Sequence, residues 1–523
     1  MRPLLPAALI LSALLTACPQ ATPPGANLPL VTTLDFKAFD TQQGTLKLRP
    51  GRSGVLSLDA EPEYVAVSAD SRRAYVTLQE SNAVATIDLT TATITAIRSL
   101  GLKDHRAAGN ALDASDRDGR INLQTWPVLG AFMPDAAATF TAQGRTYLIT
   151  ANEGDSRDYG AAYQDEARVK ALKLDPTAFP DAAALQADSA LGRLTVSTAD
   201  ADTDGDGDAD RLVAFGARSV SIWDADLNLV ADTGDLIERQ MAALRPTTFN
   251  SEGTTSTFDT RSDNKGPEPE GVTTGVIAGR TFAFVGLERM GGVMVLDVTT
   301  PATPTFVDYA HLNTPAARPD SGNAGDLAPE GVLFIPAADS PAGKPLVVVS
   351  HEVSGSVTLY AAEDSGHLTL TGRYQATPFA YDKGVAEISA YDPASRRLFV
   401  VNGQTGGLDI LDLSQPTQPT LSGRVDLSAY GRAANSVTAR GGVIAVAVEA
   451  TVKTDPGRVV FLNADGTLRA PPVTVGALPD MLTFTPDGQF VVVANEGEPS
   501  ADYSTDPAGS VSIIAVNKAL AAK

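Results

Sequence analysis

Short runs of apolar residues that alternate with polar residues recur along the chain, and turn-forming residues separate them. The first group shows the pattern clearly, with runs at residues 62–68, 74–78 and 81–89. Alternation over about four to eight residues between turns is typical of β-strands in a half-buried sheet. Each such group therefore predicts a small antiparallel sheet of three strands.

The same arrangement returns along the chain, and each copy begins with Pro or Ala followed by an acidic residue or Asn. These leading positions are Glu63, Asp135, Glu270, Glu330, Glu387, Asn435 and Asp480. A single sheet of this size cannot cover both of its faces, whereas radial stacking of seven sheets buries each against the next. We therefore predict an all-β fold, a seven-bladed β-propeller over residues 31–523. A parallel β-helix is the structural alternative, although its rungs would be shorter than these groups.

Two long stretches interrupt the repeat. An insertion at about residues 156–211 divides blade two, and its segments 165–174 and 179–191 read as short helices. A polar linker at about residues 235–266 follows. Long connections within a compact domain tend to be functional, so we expect a cap over one face of the propeller. Residues 53–58 are predicted to be an outer strand that completes the last blade and closes the ring.

The N-terminus has the pattern of an export signal. Arg2 is followed by an apolar run that is too short to span a bilayer, and then by small residues before Cys18. Residues 15–18, Leu-Thr-Ala-Cys, resemble the lipobox of bacterial lipoproteins, in which the signal is cleaved before the Cys and the thiol receives a diacylglycerol. We therefore predict a signal peptide at residues 1–17, lipidation of Cys18 and a flexible tether at residues 18–30. An ordinary secretory signal that precedes a chance Cys is the alternative.

Cys18 is the sole cysteine of the chain, so an exported domain has no internal disulfide to rely on. The formal net charge is -22, from 40 Lys and Arg against 62 Asp and Glu. This balance argues against binding to nucleic acid or to an anionic membrane through a basic face. Cations or cationic partners fit it better, although the acidic surface alternatively serves solubility alone.

Propeller geometry places the acidic residues together. In a blade, the start of the innermost strand and the end of the second strand lie on the same face, around the central channel. The predicted rim and ligand-binding residues are Asp135, Asn152, Glu153, Asp155, Arg157, Glu270, Glu288, Glu330, His351, Glu352, Glu387, Glu449, Asp480, Asn495 and Glu496. Like charges at this density repel one another. Either the rim binds Ca²⁺ or Mg²⁺, which prefer hard oxygen ligands, or its carboxylates accept hydrogen bonds between blades and only fasten the ring.

An Asp-rich stretch inside the insertion gives a second metal signal. Carboxylates alternate around Gly205 and Gly207, so a tight turn can point several oxygens inward, as in calcium-binding loops. The predicted metal ligands are Asp200, Asp202, Asp204, Asp206 and Asp208. An EF-hand register that begins at Asp200 puts Arg211, and not the bidentate Glu, at the twelfth position. We expect weak calcium binding, with an unoccupied acidic hairpin as the alternative.

Standard catalytic signatures are missing from the sequence. The chain lacks Gly-x-Ser-x-Gly, a Walker loop and His-Glu-x-x-His, and its four histidines are scattered. The cations of residues 261–270, with Arg157, are predicted to lie at the acidic rim. Cations beside a metal-bearing carboxylate cluster are what phosphoester binding requires, and they are equally what an acidic ring requires to be stable. Catalytic residues are therefore unknown.

Several segments together resemble the choice-of-anchor I domain family. They are Met-Pro-Asp-Ala at 133–136, Thr-Ala-Asn-Glu-Gly-Asp-Ser-Arg at 150–157, Asp-Glu-Ala-Arg-Val at 165–169, Phe-Gly-Ala-Arg-Ser at 215–219 and the stretch 265–272. Tyr-Val-Thr at 75–77, followed by Ser81 and Asn82, also resembles the surface-layer repeats named after Tyr-Val-Thr-Asn. The resemblance covers nearly the whole mature chain and implies a surface-attached seven-bladed propeller whose members carry different anchors. It implies no agreed activity, and some relatives are labelled alkaline phosphatase-like.

The sequence thus predicts a lipid-anchored cell-envelope propeller that faces the periplasm or the outside. We expect a binding or interaction module with bound Ca²⁺, or alternatively another divalent metal, and with an envelope protein, a glycan or a small molecule as its ligand. The membrane is expected to be contacted through the lipid anchor only. No nucleic acid is expected as a partner, and we expect a monomer. The alternative function is a metal-dependent phosphoesterase that acts at the acidic face.

Overall fold

The computed structural model describes residues 29–49 and 51–522. Cys18, the predicted signal peptide and most of the predicted tether lie outside these residues. Within the described part of the chain the fold is all-β and is dominated by seven antiparallel sheets of four strands each. We number these sheets one to seven in the chain order of their first strands.

The strands follow one another in a regular order. The N-terminal strand is β1 (Val31–Asp35), and sheet one contains β2 (Pro62–Val67), β3 (Arg73–Leu78), β4 (Ala83–Asp88) and β5 (Thr93–Ser99). The short strands β6 (Leu102–Asp104) and β7 (Leu129–Ala131) come next. Sheet two begins with β8 (Ala137–Ala142) and β9 (Arg145–Asn152), is interrupted by β10 (Glu166–Arg168), β11 (Thr195–Ser197) and β12 (Val213–Ala214), and ends with β13 (Ser219–Asp224) and β14 (Leu229–Asp232).

The remaining sheets are continuous in sequence. Sheet three contains β15 (Pro269–Ile277), β16 (Arg280–Leu287), β17 (Val293–Asp297) and β18 (Thr305–Ala310), and sheet four contains β19 (Pro329–Ile335), β20 (Leu346–His351), β21 (Ser356–Ala362) and β22 (Leu368–Gln375). Sheet five contains β23 (Ser389–Asp392), β24 (Arg397–Asn402), β25 (Gly407–Asp412) and β26 (Thr420–Val425), and sheet six contains β27 (Ala434–Arg440), β28 (Val443–Val448), β29 (Pro456–Asn463) and β30 (Leu468–Ala477). Sheet seven contains β31 (Pro479–Phe484), β32 (Phe490–Asn495), β33 (Ser510–Ala515) and β1.

Helices are short and lie between the sheets or at the chain ends. The α-helices are α1 (Gln43–Leu46), α2 (Leu56–Asp59), α3 (Ala182–Leu185), α4 (Leu236–Leu244) and α5 (Val516–Ala521). Turns of 3₁₀-helix occur at Lys37–Gln42, Val169–Ala171, Pro246–Thr248, Thr255–Thr257 and Pro319–Ser321.

The second strand of each sheet is the most apolar part of the repeat. Strands β20, β28 and β32 are buried at every residue, because they are covered on both faces by neighbouring sheets. Fully buried strands read as continuous apolar runs of Val, Ile and Ala. The fourth strands are exposed by contrast, as in β26.

The seven sheets pack against one another in cyclic order. A separate hydrophobic cluster joins each sheet to the next, and a further cluster joins sheet seven back to sheet one. In that last cluster Val65 and Val76 of sheet one pack with Val492 and Ile513 of sheet seven. The first strands of adjacent sheets also contact one another, including β2 with β31. Every sheet therefore buries both faces although none is large.

The strand that closes the cycle differs from the predicted one. Residues 53–58 do not form an outer strand, because the chain turns there into α2, where Leu56 is fully buried and Ser57 donates hydrogen bonds to the Asp40 carboxylate. Strand β1 takes the closing place and pairs antiparallel with β33 from Val31 opposite Ile514 to Asp35 opposite Ser510. The prediction of residues 53–58 as the closing strand was wrong.

The predicted insertion, about residues 156–211, contains little helix. Residues 166–168 form β10, which pairs with β11, so the prediction of a helix over residues 165–174 was wrong apart from the 3₁₀ turn at Val169–Ala171. Within residues 179–191 only α3 is helical. The insertion has its own small core, in which Phe179, Leu191 and Val196 pack with Leu112 and other apolar residues.

Two buried arginines fasten the insertion to sheet one. The Arg49 guanidinium donates hydrogen bonds to the carboxylates of Asp165 and Asp200, with Nε 2.6 Å from Asp200. Arg157 donates from Nε to Glu61 at 3.1 Å and from Nη2 to the Asp59 carbonyl at 2.8 Å. Hydrogen bonds to buried charged groups are stronger than neutral ones, so these contacts hold the insertion in a fixed position.

Candidate functional site

A cavity of about 260 Å³ lies where the first strands of all seven sheets meet. We call it the central cavity. Its polar lining includes Tyr64, Asp135, Glu330, Glu387, Asn435, Ser436 and Asp480, and its other lining residues are Ala136, Gly271, Val272, Gly331, Val332, Ile388 and Met481. The leading positions of sheets separated widely in sequence are thus brought together.

Irregular pairing at the start of the first strands aims the leading side chains inward. The register between first and second strands shifts after Pro62, Pro269, Pro329, Ala434 and Pro479, at the points where Glu63, Glu270, Glu330, Asn435 and Asp480 lie. A β-bulge leaves a residue unpaired and redirects its side chain. The β-bulge at the start of the first strand is therefore a repeated feature, and in most of these sheets it directs an acidic side chain toward the centre.

The backbone before these bulges is strained in a repeated way. The residue that precedes the leading Pro has a positive φ in five sheets, at Glu61 (φ 42), Met133 (φ 46), Glu268 (φ 52), Ala328 (φ 56) and Leu478 (φ 48). Residues other than Gly rarely adopt this conformation, and it is retained where the surrounding structure requires it. In sheets one, three, four and seven it precedes the bulge that carries the acid, whereas in sheet two it precedes Pro134 without a register shift in the strand pair.

Most carboxylates at the centre have no counter-ion. Among the described residues, no other residue makes a hydrogen bond or ion pair to the side chains of Glu63, Asp135, Glu270, Glu330, Glu387, Asp480 or Glu496. Glu80 and Glu270 each have one carboxylate oxygen that is buried and without a partner. Four of these acids, Asp135, Glu330, Glu387 and Asp480, line the central cavity. Buried charges are normally paired or coordinate metals, so the unpaired cluster is a candidate cation site.

Burial raises the pKa values of the unpaired acids, and mutual repulsion adds to the effect. For Glu63, burial comes first and the charges of Glu496, Glu80 and Asp480 raise the pKa further. Burial and the nearby charge of Glu352 raise the pKa of Glu387 to about 8, and burial with Glu498 and Glu449 raises that of Asp480 to about 7. The pKa values of Asp135, Glu270, Glu330 and Glu496 are also raised well above the usual range, with burial the largest cause. Part of the cluster is therefore protonated at neutral pH, and a bound cation would displace those protons.

Three of these acids have the geometry of a cation site. One carboxylate oxygen each from Glu63, Asp480 and Glu496 lie within 4.8 Å of one another, and the three residues are half-buried. They come from sheets one and seven, so this triad bridges the junction at which the cycle closes. Oxygen ligands in this number suit a hard cation whose remaining positions are filled by water.

A second group of acids is paired with basic residues. Oxygens of Glu153, Glu268 and Glu288 also lie within 4.8 Å of one another. Lys265 bonds to Glu153 and lies 3.3 Å from Glu268, Arg261 bonds to Glu268, and Arg289 lies 3.3 Å from Glu268 and 2.8 Å from Glu288. Burial acts to raise the pKa of Glu268, but Lys265 and the arginines outweigh it and the pKa is lowered. In this group the carboxylates form ion pairs that hold neighbouring segments together, and the basic residues are already paired.

The other predicted rim residues have mixed roles. Asn152 donates to the Ser219 and Ser221 hydroxyls at 3.3 and 2.8 Å, and Asn495 makes the corresponding bonds to Ser510 and Ser512 at 3.3 and 3.1 Å. These amides therefore tie the second strand to the third and do not face the cavity.

The remaining positions divide between paired and solvent-facing side chains. His351 is buried 3.5 Å from Asp326, and burial lowers its pKa, so it is a neutral structural residue. Glu449 pairs with Arg432 at 2.7 Å. Asp155 is exposed, and Glu352 is half-buried with a pKa raised by burial.

The Asp-rich loop splits into separate groups. Oxygens of Asp202, Asp204 and Asp206 lie within 4.8 Å of one another on an exposed turn whose Gly205 and Gly207 have φ of 84 and 90. Asp200 is turned away and pairs with Arg49 and Arg211, the latter at 3.3 Å. Asp208 pairs with Lys173 at 3.0 Å and lies with Asp175 and Asp210. The structure thus brings together three of the five predicted ligands.

Some residues of the site were not singled out from the sequence. Arg289 pairs with Glu268 and Glu288, Tyr64 lines the cavity, and Glu61 and Glu268 are buried directly before the leading Pro of their sheets. A signal for the last two exists, because Glu-Pro-Glu occurs both at residues 61–63 and at residues 268–270. Its recurrence marks the first residue as part of the same repeated feature.

Comparison with known proteins places the chain in a family context. Residues 22–301 and 387–522 match the family described as choice-of-anchor I domain. Gigasin-3a of Magallana gigas is 31% identical over 188 residues, which are 34% of this chain and 66% of that protein. A mesenchyme-specific cell surface glycoprotein of Strongylocentrotus purpuratus is 28% identical over 255 residues, which are 41% of this chain and 32% of that protein. The chain thus spans less than two thirds of either relative.

Among solved structures, U3-55K is similar with a TM-score of 0.43 and 9% identity, over 90% of this chain and 98% of that one. A TM-score of this size does not establish a common fold. Among the described residues, none of the helices combines the length and the apolar character needed to cross a bilayer.

Removal of Lys265 is expected to destabilise the protein strongly. Lys265→Met leaves the buried charge of Glu153 without a cation, which typically costs about 3–5 kcal/mol, whereas Glu268 keeps Arg261 and Arg289. The control is Lys170→Met, which breaks an exposed pair with Asp188 and should change stability little. Urea unfolding of both variants measures the difference, and equal effects would contradict the assignment of Lys265 to a buried network.

Stability of the metal-free protein is expected to fall as the pH rises. Unfolded Asp and Glu lose their protons near about pH 4, whereas folded Asp480 and Glu387 retain them up to about 7 and about 8. The folded state therefore binds more protons in this window, so the stabilisation is fully present below about pH 4 and is lost as the pH rises through about 7 to 8.

Calorimetry with chelator should show a midpoint that decreases between about pH 5 and pH 8. The double variant Asp480→Asn, Glu387→Gln should show a shallower decrease, and Asp204→Asn on the exposed loop should keep the parent slope. A parent midpoint that rises over this range would be inconsistent with the raised pKa values.

Proposed function

Because the chain belongs to the choice-of-anchor I domain family, we propose that it is a lipid-anchored cell-surface module, built as a seven-bladed β-propeller, whose acids at and beside the central cavity bind calcium. The seven four-stranded sheets and their cyclic packing support the propeller architecture, with the insertion in blade two. Family membership supports association with the cell surface. The function we favour is binding or interaction, and not catalysis.

The observation that carries the proposal is the convergence of unpaired carboxylates at the centre. Their side chains are held inward by bulges and have no cation among the described residues, although Lys265, Arg261 and Arg289 neutralise a neighbouring group. Acids without a structural partner at this density are costly unless an external cation binds. The contrast between the two groups therefore indicates that the unpaired acids serve a ligand.

Calcium fits the triad of Glu63, Asp480 and Glu496 better than a transition metal does. Carboxylate oxygens are hard ligands, and no His or Cys accompanies them in the triad. Calcium accepts about six to eight oxygens in flexible geometry, so half-buried acids and water can complete its shell. The exposed turn of Asp202, Asp204 and Asp206 is proposed as a second, weaker calcium site, and another divalent metal is the alternative at both.

The anchor is proposed to be a diacylglycerol on Cys18. The Leu-Thr-Ala-Cys sequence supports it, and the residues that follow provide the tether to β1. The module would then face the periplasm or the outside of the cell as a monomer, with an envelope protein, a glycan or a small molecule as its partner.

Calcium binding is expected to depend on the triad. Isothermal titration of the soluble protein from residue 19 onward should show saturable Ca²⁺ binding, and a Ca²⁺ concentration of about 100 times Kd should stabilise the fold by about 2.7 kcal/mol. The double variant Asp480→Asn, Glu496→Gln should lose the tighter phase. The matched control Asp202→Asn, Asp204→Asn should lose only the weaker phase.

Calcium-dependent hydrolysis of a chromogenic phosphate monoester should be absent from all these proteins. Turnover that requires Ca²⁺ and disappears in a Glu153→Gln, Glu496→Gln variant would replace the binding function with the phosphoesterase alternative. If the Asp480→Asn, Glu496→Gln variant titrates with Ca²⁺ like the parent protein, the assignment of calcium binding to the triad is wrong.

Lipidation is expected to require Cys18. Full-length protein expressed in a bacterial envelope should partition with membranes and carry a diacylglycerol mass on its N-terminal Cys, because acyl chains bind membranes in proportion to their buried methylenes. Cys18→Ala should be recovered without that mass and in the soluble fraction. A processed, unmodified Cys18 in the parent protein would instead indicate an ordinary secretory signal.

A further inference from the structure

The central cavity has an apolar part beside its acids. In most first strands the leading position is followed, one or two residues later, by an apolar side chain that lines the same cavity. We call these the apolar collar: Ala136, Val272, Val332, Ile388 and Met481. A strand advances by about 3.3 Å per residue, so the collar lies roughly 3–7 Å further along the strands than the carboxylates.

The size of the cavity exceeds what one metal ion needs. Its volume of about 260 Å³ corresponds to roughly nine water molecules. Of the proposed calcium triad only Asp480 lines the cavity, and the collar side chains offer a calcium ion no oxygen ligand. The collar residues also pack in the cores between the sheets. Where they line the cavity, they form an apolar surface beside the acids, which suits a ligand that carries both a charge and a hydrocarbon portion.

Acceptors for hydrogen bonds are present at the acidic end. Asp135, Glu330, Glu387 and Asp480 line the cavity without an ion-pair partner among the described residues. Ser436 also lines it, is only 1% exposed, and has a hydroxyl oxygen with no hydrogen-bond partner. A buried hydroxyl without a partner is unusual in a folded protein and points to a ligand that supplies one.

We propose that the central cavity binds a primary alkylamine, with its ammonium on the carboxylates and Ser436 and its alkyl chain against the apolar collar. This inference rests on the proposed cation-binding role of the cavity and names a ligand class for it. An ammonium group donates three hydrogen bonds, which the convergent acids can accept. Transfer of the alkyl chain from water to the collar is favourable, because it buries apolar surface. Such a group occurs in free amines and at the end of a lysine side chain of a protein partner.

Titration with two amines tests the inference and separates the sources. Calorimetry of the soluble protein in chelator should detect binding of 1-aminobutane or of an Nα-acetylated, C-terminally amidated lysine, whereas 1-butanol, which has no charge, should not bind. Binding of the free amine alone supports a small-molecule ligand. Preference for the blocked lysine supports a protein side chain. Failure of both amines would overturn the inference.

Two variants assign the binding to the two parts of the cavity. Asp480→Asn with Glu330→Gln should weaken amine binding at least about tenfold, because each lost charge-assisted hydrogen bond is worth about that factor. Val332→Thr keeps the side-chain shape and Ile388→Thr shortens the side chain, and both make the collar polar, so amine affinity should fall while Ca²⁺ affinity is retained. Circular dichroism and thermal unfolding of each variant confirm that it is folded.

The outcomes distinguish this inference from the function on which it rests. Binding of Ca²⁺ without binding of either amine would overturn the amine inference and leave the calcium proposal standing. If the parent protein binds neither Ca²⁺ nor an amine, both the calcium proposal and the amine inference are overturned. An amine affinity that the collar variant leaves unchanged would show that the apolar residues do not contact the ligand, and would also overturn the inference.

Discussion

Electrostatic repulsion at the centre of a cyclic arrangement is the constraint on which the rest of the structure depends. Seven sheets packed in a cycle bring the start of every first strand to one place, and in most sheets that position holds a carboxylate. The hydrophobic clusters between the sheets must hold these acids together against their mutual repulsion. Hydrophobic packing between the sheets therefore offsets the unfavourable charge density at the centre. Such a balance is common where a rigid scaffold holds binding groups in place.

The protein deals with this repulsion in two ways. Around sheets two and three, Lys265, Arg261 and Arg289 neutralise Glu153, Glu268 and Glu288, and the acids there join neighbouring sheets. At the junction of sheets one and seven, no cation among the described residues pairs with Glu63 or Glu496, and burial keeps the pKa values of these acids high. The group around Glu268 is thus structural, whereas the group around Glu63 and Glu496 is the one for which we propose exchange of protons for an external cation. Under that proposal the two interpretations of the acidic rim, as a metal site and as a set of ion pairs between sheets, would apply to different parts of the rim.

The repeated feature could be predicted from the sequence, but its local chemistry could not. Pro followed by an acid lies at the start of the first strand in five of the seven sheets, although the same pair also occurs elsewhere, as at residues 180–181 and 319–320. Glu153 and Glu496, however, lie in identical Ala-Asn-Glu-Gly segments and differ only in their environment: Glu153 meets Lys265, which is 112 positions away, and Glu496 meets no cation among the described residues. In the same way Asp200 leaves the Asp-rich loop for Arg49, 151 positions away. The closing strand was missed because residues 53–58 show the better alternation, and the fourth strands were missed because exposed strands such as β26 lack an apolar pattern.

The pairing of β1 with β33 has a mechanical consequence. The strand nearest to the proposed anchor is also the one that completes sheet seven, and it is held there by a ladder of only five residue pairs. Any pull exerted through the membrane attachment, by flow or by a bound partner, reaches that ladder before it reaches the rest of the ring. Tension directed along β1 loads all five pairs in shear, whereas tension across it opens them one after another from Val31. Under the proposed anchoring, the direction in which the domain is attached to the membrane would set how much force the pairing of β1 with β33 can bear.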